Sequence, residues 1–168
     1  MTAGTDYGEQ VAILTVYLDN SILGGYFDSE FQEPTRRLWR MAEAGECRFV
    51  ASTVTQEEAT LAPPEVVRLF ARTFPDDEAL LELTPRAEEL AQAYVVAGVV
   101  SAKYIDDARH VAIATTHGIG VLVTWNFRHL ANYRREAGFN RVNLDNGYPA
   151  VRIISPLEIV YGSQDEDV

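Results

Sequence analysis

The chain has 168 residues, and 47% of them are hydrophobic, which is enough for one domain around a single buried core. Its net charge of −11 argues against a protein that coats nucleic acid through a broad positive surface, because phosphate contacts require clustered lysine and arginine. A nuclease is compatible with this charge, since a metal site built from carboxylates is itself negative. The single cysteine, Cys47, excludes an intrachain disulfide and suits a reducing compartment.

The chain shows no sign of export or of membrane insertion. No apolar stretch approaches the roughly 20 residues that cross a membrane, and residues 1–10 lack the basic and apolar regions of a secretory signal. We therefore expect a cytoplasmic protein. Residues 1–10 are predicted to form a flexible leader, residues 11–160 one domain and residues 161–168 an acidic tail.

The first half of the chain alternates apolar runs with amphipathic segments. The run VAILTVYL is apolar almost throughout, as expected of a strand that is buried on both faces of a parallel sheet. Gly45, the last residue of the segment at 29–45, is predicted to terminate the helix there, and Pro63 with Pro64 closes another helix. The predicted elements are a strand at 11–18, a helix at 29–45, a strand at 47–52 and helices at 53–62 and 65–74.

The second half continues the alternation. Pro85 lies where the first turn of a helix tolerates proline, Gly138 is predicted to end a helix, and the loop at 143–149 is predicted to be rich in turns, with Asn143 shaping its backbone. Such alternation indicates an α/β fold with a mostly parallel sheet. The predicted elements are a strand at 80–84, helices at 85–100 and 104–118, a strand at 119–125, a helix at 126–138, a strand at 151–155 and a helical turn from Pro156.

Acidic or amide side chains follow several of these strands, at the edge where ligands bind in parallel sheets. Taken singly they have ordinary explanations: Asp19 can cap a helix, Glu58 can lie on a solvated helix face with Glu57, and the pair at 106 and 107 can interact with a helix dipole. Taken together they favour a cation, because gathered carboxylates repel one another unless a positive charge is present. The residues concerned are Asp19, Glu58, Asp106, Asp107 and Asn126.

Helical periodicity separates the two adjacent aspartates. At roughly 100° per residue, Asp107 projects at the margin of the apolar side of its helix, whereas Asp106 projects almost opposite the centre of that side. Asp107 is therefore predicted to enter a pocket at the sheet edge, and Asp106 to face water. The same geometry predicts that His110 lies near Asp106 at the helix surface, where a satisfied surface pair is the expected role.

Four segments, in this order, resemble the PIN-domain ribonucleases and especially the VapC-type toxins of bacterial toxin–antitoxin pairs. The resemblance extends from about Ile13 to Ile159, and no single segment is decisive. The segments are VYLDNSILGGYF, VASTVTQEEA, DDARHVAIATTHGIGVLVTWNF and VNLDNGYPAVRIISPLEI.

The resemblance implies a three-layer α/β/α fold and a site for Mg²⁺ or Mn²⁺, which prefer oxygen ligands. It implies that Asp19 is the first acidic ligand, that Glu58, three residues after Thr55, is the second, and that Asp107 is the third. Asn126 lies where the family often has a fourth aspartate, so that a second metal would be held less firmly. Ser21 corresponds to a hydroxyl that supports the first aspartate.

The expected activity is metal-dependent cleavage of RNA phosphodiester bonds, with an antitoxin protein and a second copy of the chain as partners. Trp125, Phe127, Arg128 and His129 are candidate contacts to unpaired RNA; their alternative role is packing at the strand end, with a solvated basic pair. A PIN-like domain that binds RNA or protein without cleavage is the alternative function, and Asn126 is its best support.

Other metal-dependent α/β domains fit less well. A receiver domain should have a lysine at a late strand end, but the only lysine is Lys103. A phosphatase of the haloacid dehalogenase type should have a second aspartate two residues after the first, where this chain has Ser21. Both classes are therefore disfavoured.

Overall fold

The computed structural model describes residues 13–162, and these form an α/β fold with four parallel strands and eight α-helices. The predicted leader, the first two residues of the strand predicted at 11–18 and residues 163–168 of the predicted tail lie outside the described residues. The strands are β1 (Leu14–Leu18), β2 (Cys47–Val50), β3 (Val121–Val123) and β4 (Arg152–Ile154). The helices are α1 (Asn20–Gly25), α2 (Gln32–Glu43), α3 (Thr53–Thr60), α4 (Pro64–Thr73), α5 (Pro85–Val96), α6 (Ile105–Thr116), α7 (Tyr133–Asp145) and α8 (Pro156–Val160).

The sheet has the order β2-β1-β3-β4, so that β1 and β3 are the central strands. Val16 of β1 is opposite Phe49 of β2, and Tyr17 is opposite Leu122 of β3, with all pairs parallel. Because β1 and β3 are parallel neighbours, the residues that follow them emerge side by side at one edge of the sheet. This arrangement brings Asp19 next to the segment that begins at Thr124.

Helices cover both faces of the sheet, which confirms the predicted α/β class with a mostly parallel sheet and matches a three-layer arrangement. Alternate residues of β1 point to opposite faces: Tyr17 joins one core with α5, α6 and α7, whereas Val16 and Leu18 join a second core with α1, α2 and α4. All three side chains are fully buried, which explains why β1 is apolar at consecutive positions. None of the helices in residues 13–162 is long and apolar enough to span a membrane.

The strand predicted at 80–84 is wrong. Leu81 forms a single isolated bridge with Ser52, in which the Leu81 amide donates to the Ala51 carbonyl and the Thr53 amide donates to the Leu81 carbonyl. The bridge does not extend because its partner segment enters α3 at Thr53. The apolar character of the segment instead reflects burial of Leu80, which is 6% exposed, in the second core.

The helix predicted at 126–138 is displaced along the chain. The α7 helix begins at Tyr133, after the side chain of Asn132 has accepted a hydrogen bond from the Arg135 amide as its N-cap, and it continues to Asp145. Gly138 lies inside this helix, where a β-carbon would stand 3.1 Å from Val99 Cγ1. The terminating glycine is Gly147, whose φ of 79° favours glycine.

The loop predicted at 143–149 is consequently shorter than expected. Asn143 is fully buried inside α7, where its Oδ1 accepts a hydrogen bond from the Tyr94 hydroxyl and its Nδ2 donates to Thr115 Oγ1 at 3.3 Å. These contacts tie α7 to α5 and α6. The predicted role of Asn143 in shaping the loop backbone is therefore wrong.

Candidate active site

The candidate site lies at the carboxyl ends of β1 and β3, between α3 and the first turn of α6. Asp19 follows β1 directly, and its backbone is the N-cap of α1. Thr124 follows β3, and its hydroxyl donates a hydrogen bond of 2.6 Å to Asp19 Oδ2. The residues that follow the two central strands therefore place a carboxylate and a hydroxyl within hydrogen-bonding distance of each other.

Asp19 is held rigidly in a buried position. It is 4% exposed, and its Oδ1 accepts hydrogen bonds from the Ser21 amide at 3.1 Å and from Ser21 Oγ at 2.6 Å. Burial raises the pKa of Asp19, against the opposing effects of His110 and of the hydroxyls of Ser21 and Thr124. Ser21, predicted to support Asp19, therefore does so by donating twice to one oxygen, once from its amide and once from its hydroxyl.

Thr124 is a member of this site that the sequence reasoning missed. Its hydroxyl fixes the second oxygen of Asp19, and it also accepts a hydrogen bond of 3.0 Å from the Asn126 amide. A signal was present, because Thr124 is the one hydroxyl residue in the otherwise apolar run GVLVTW and lies two positions before Asn126. The same position is also compatible with ordinary strand chemistry, so the pattern alone did not distinguish it.

Asp107 lies in the first turn of α6 and is half-buried beside Asn126. Asn126 Nδ2 donates a hydrogen bond of 3.4 Å to Asp107 Oδ2, while Asn126 Oδ1 accepts from the His129 amide at 3.0 Å. Burial, followed by the negative charge of Asp19, raises the pKa of Asp107 to about 6. The structure thus brings Asp19, Asp107 and Asn126 together.

Asp106 is directed away from this group. Its side chain is 59% exposed and forms an ion pair of 3.0 Å with Arg109 Nη1. The different exposures of Asp106 and Asp107 agree with the prediction from helical periodicity. Exposure distinguishes the two aspartates although they are adjacent in the chain.

His110 was predicted to lie at the helix surface, and this prediction is wrong. The residue is 1% exposed, and its Nε2 is 2.8 Å from Glu58 Oε1, while its Nδ1 is 2.6 Å from the Tyr17 hydroxyl. Burial alone would lower the pKa of His110, but Tyr17, Glu58 and Asp19 together raise it well above its usual value. No side of α6 is exposed to solvent at this position, because six consecutive residues, 110 to 115, are buried.

Glu58 lies near the two aspartates but is engaged by this histidine. Its charge contributes to raising the pKa of both Asp19 and Asp107, and its side chain is 30% exposed. Its neighbour Glu57 is exposed. The structure therefore places Glu58, rather than Glu57, at the candidate site.

The segment after β3 divides into buried and exposed parts. Trp125 is 7% exposed, its ring is stacked on Phe31 with centroids 4.4 Å apart, and its Nε1 donates to Thr35 Oγ1. Trp125 is therefore a core residue and not an accessible contact for an RNA base, which corrects that prediction. Phe127 and Arg128 are exposed.

His129 is partly exposed and packs against α6. Its ring stacks on Tyr104, with centroids 3.9 Å apart and an interplanar angle of 29°. Tyr104 is the N-cap residue of α6, two residues before Asp106. The stack joins the loop after β3 to the start of α6 beside the acidic residues, and it leaves His129 at the rim of the site.

Comparison with known proteins does not identify a family. No protein-family model, no curated protein and no solved structure matches the chain. The PIN-domain resemblance remains a prediction from the quoted segments.

Asp19 and Asp107 are the two carboxylates at this site that could serve as ligands of a divalent cation. Within residues 13–162, no three His, Cys, Asp or Glu side chains are grouped so that they could hold a metal ion. Asp19, Glu58 and Asp107, the three predicted ligands, therefore do not by themselves form a complete coordination site. Mg²⁺ does not require one, because one or two carboxylates commonly hold it while waters and substrate phosphates complete the octahedral shell.

One observation supports that fit. Burial, followed by the negative charge of Asp19, raises the pKa of Asp107, and a positive charge between the two carboxylates would relieve their repulsion. Among the described residues, Asn20 Oδ1, beside Asp19 in the chain, is the one buried side-chain polar atom without a hydrogen-bond partner. A buried amide oxygen without a partner is unfavourable, and an ordered water would satisfy it.

Proposed function

We propose that this chain is a metal-dependent endoribonuclease that cleaves RNA phosphodiester bonds with Mg²⁺ or Mn²⁺ as its cofactor. The observation that carries the proposal is the pair formed by Asp19, buried at the end of β1, and Asp107, half-buried in the first turn of α6 beside the end of β3. Placing two like charges in a poorly solvated position is unfavourable, so their retention there points to a function that needs both.

The residues of the site have separate roles in the proposed reaction. Asp19 and Asp107 would hold the cation, with Asp19 kept from rotating by hydrogen bonds to both of its oxygens. A bound cation would supply Lewis-acid activation of a water and neutralisation of charge on the phosphate. Glu58 would hydrogen-bond the attacking water through Oε2, because Oε1 is engaged by His110.

Asn126 acts in this scheme as a positioning residue. Its Nδ2 donates to Asp107, and its Oδ1 accepts from the His129 amide, so that the amide joins α6 to the loop after β3. Arg128 and Phe127 are exposed beside this point and are suited to contacts with the phosphate and an unpaired base of RNA.

Cleavage of labelled RNA tests the proposal. We expect the purified chain to cleave with Mg²⁺ or Mn²⁺, to stop in EDTA, and to be inactive as the Asp19→Asn, Asp107→Asn double variant. Asp145→Asn is the matched control, because it removes a carboxylate from an exposed position at the end of α7. Cleavage that persists in EDTA, or in the double variant, would contradict the proposal.

The second candidate function is a PIN-like domain that binds RNA or a protein without cleavage. Asn126 favours it, because an amide stands where the resembled family often has an aspartate, and both of its polar atoms are already hydrogen-bonded. In the same assay, RNA retained by the purified chain without any metal-dependent cleavage would support this function.

We also propose that the nuclease is the toxin of a toxin–antitoxin pair, acting in the cytoplasm as a homodimer with a small antitoxin as its inhibitor. The net charge of −11 suits a partner segment with basic side chains, which would be attracted to the acidic site. The adjacent reading frame tests this point. A short gene there, whose product blocks cleavage when the two proteins are mixed, would support the pairing, and a neighbour without that effect would oppose it.

A further inference from the structure

A buried chain of hydrogen bonds leaves the start of α3, passes through β1 and α6, and returns to α3 at Glu58. We propose that His110, supported by Tyr17, is a positioning residue that fixes the orientation of the Glu58 carboxylate in the candidate site. The catalytic consequence of this orientation rests on the proposed nuclease function. The hydrogen bond itself does not, and it can be tested separately.

Each link of the chain has hydrogen-bond geometry. Ser52 is the N-cap of α3, and its Oγ is 2.6 Å from the Tyr17 hydroxyl. The same hydroxyl is 2.6 Å from His110 Nδ1, and His110 Nε2 is 2.8 Å from Glu58 Oε1. Ser52 and Tyr17 are fully buried and His110 is 1% exposed, so water does not compete along this path.

The chemistry of the groups sets the direction of the last link. An ionised carboxylate only accepts hydrogen bonds, so His110 Nε2–H is the donor to Glu58. This holds whether the imidazole is neutral or protonated, because Nε2 carries a proton in the cation as well as in this tautomer. The orientation of Glu58 therefore follows from geometry and does not depend on the charge of His110.

The contact leaves Glu58 with one available oxygen. Oε1 is occupied by His110, whereas the side chain as a whole is 30% exposed. A free glutamate loses considerable rotamer entropy when it is ordered, and here the buried imidazole imposes that order before substrate binds. Preorganisation of this kind lowers the barrier of a reaction by fixing a group where it acts.

A purely structural role is the competing interpretation. A buried histidine that has found hydrogen-bond partners can serve only to stabilise the packing of β1 against α6. That role requires partners for both ring nitrogens, Tyr17 and Glu58, but it gives the direction of the Glu58 carboxylate no effect on kcat. The two roles therefore differ in what they predict for variants that keep one nitrogen position and lose the other.

Two substitutions at His110 separate the roles. His110→Gln places an amide near the position of Nε2 and can still donate to Glu58, whereas His110→Asn reaches only the position of Nδ1, beside Tyr17. Both are polar and uncharged, but asparagine is one methylene smaller than glutamine, so it leaves the larger gap at this buried position. Each variant is compared with the parent for RNA cleavage and for its thermal unfolding midpoint.

We expect His110→Gln to keep kcat within about threefold of the parent and His110→Asn to lower it about tenfold or more, with KM changed less than about twofold in both. The unfolding midpoint should be somewhat lower for His110→Asn than for His110→Gln, and cleavage by both variants is measured well below it. Equal losses of kcat in both variants, or no loss in either, would overturn the positioning role.

Proton and ¹⁵N NMR of histidine-labelled protein tests the contact without any nuclease assay. We expect a slowly exchanging Nε2–H signal from His110, assigned by its absence in His110→Gln, that is shifted or lost in Glu58→Ala. Glu57→Ala is the matched control, because Glu57 is the exposed neighbour of Glu58 on α3. A signal that Glu58→Ala leaves unchanged would overturn the inference.

The two assays distinguish the two proposals. If the parent protein cleaves no RNA while the NMR signal responds to Glu58→Ala, the nuclease function fails and the orientation of Glu58 by His110 stands. If the parent cleaves RNA while the Nε2–H signal is unchanged in Glu58→Ala, the nuclease function stands and the positioning role fails.

Discussion

Asp106 and Asp107 are neighbours in the chain, but they have different surroundings on α6. Asp106 is exposed and paired with Arg109, whereas Asp107 is half-buried beside Asn126 and its pKa is raised to about 6 by burial and by Asp19. The difference arises because consecutive helical residues project roughly 100° apart. The two residues therefore form a matched pair for mutagenesis, with the same chemical change at each.

We expect Asp107→Asn to lower the rate of metal-dependent RNA cleavage by about 100-fold or more, because it removes one of two carboxylates proposed to hold the cation. Asp106→Asn should stay within about threefold of the parent, since exposed ion pairs contribute little. Cleavage rates at saturating Mg²⁺ measure both. Loss of activity in Asp106→Asn with retention in Asp107→Asn would contradict the assignment of the two side chains.

Stability should change in the opposite sense to activity. Asp107→Asn relieves the repulsion between two desolvated carboxylates, so its thermal unfolding midpoint is expected to equal or exceed that of the parent. Such an exchange of activity for stability is usual at functional sites. A marked fall in the midpoint would show that the loss of cleavage reflects unfolding instead.

At the scale of elements, the short helix α1 joins the site to the second core. Asp19 precedes this helix and Gly25 ends it. A β-carbon at Gly25 would stand 2.5 Å from Trp125 Nε1, whereas a β-carbon at Gly24 would meet no atom within 4 Å. Gly25 is therefore required for the close approach of α1 to Trp125, the residue before Asn126.

We expect Gly25→Ala to lower the free energy of unfolding by about 1 to 3 kcal/mol, because the indole must move in a packed core. Gly24→Ala, one residue earlier in the same helix, should be neutral or stabilise the fold by up to about 1 kcal/mol. Urea unfolding, with tryptophan fluorescence as the signal, compares the two variants. Equal stabilities would mean that the contact between α1 and Trp125 is not tight.

The boundaries of α7 were mispredicted because Gly138 and Gly147 have different roles in the helix. Gly138 has no positive φ and is accommodated within the helix next to Val99, whereas Gly147 has a φ of 79° and ends the helix. Glycine serves both close packing and helix termination. The sequence contains both glycines, but only the position of Val99 shows which of them interrupts the helix.

At the scale of the whole molecule, the stability of the fold should depend on pH through its acidic residues. Glu88 of α5 accepts hydrogen bonds from Arg109 of α6 at 2.8 and 2.9 Å, in the bidentate arrangement that favours an arginine–carboxylate pair. Hydrogen bonding from Arg109 lowers the pKa of Glu88 below its usual value. Because both side chains are about a third exposed, solvent screening limits the pair to less than about 1 kcal/mol.

The sign of the pH effect follows from the lowered pKa. The contribution of Glu88 is fully present above its pKa in the unfolded chain, and it is lost as the pH falls through its lower pKa in the folded protein. We therefore expect the parent to be more stable than Glu88→Gln at neutral pH, with the difference shrinking as the pH falls below the ordinary pKa of a glutamate and vanishing once it is below the lowered pKa of Glu88. Urea unfolding of both proteins across this range measures it, and a difference that grows on acidification would contradict the pairing.

Much of the architecture was predictable from local patterns. The apolar run in β1, the proline at the first turn of α5 and the glycine after α2 predicted these elements correctly, because they report periodicity and backbone preference, which are local properties. The strand predicted at 80–84 failed because an apolar run does not show whether a partner strand is available. Pairing depends on the neighbouring chain, which here turns into α3.

The sequence by itself determined the α/β class, the parallel sheet and the different exposures of Asp106 and Asp107, since each follows from a repeating pattern along the chain. Only the tertiary structure decided that His110 is buried against Glu58, that Trp125 is a core residue and that Thr124 holds Asp19. Each of these three residues is held by a hydrogen bond to a residue more than 50 positions away in the chain. A local pattern contains no information about such neighbours, because burial on every side of a helix is set by what packs against it.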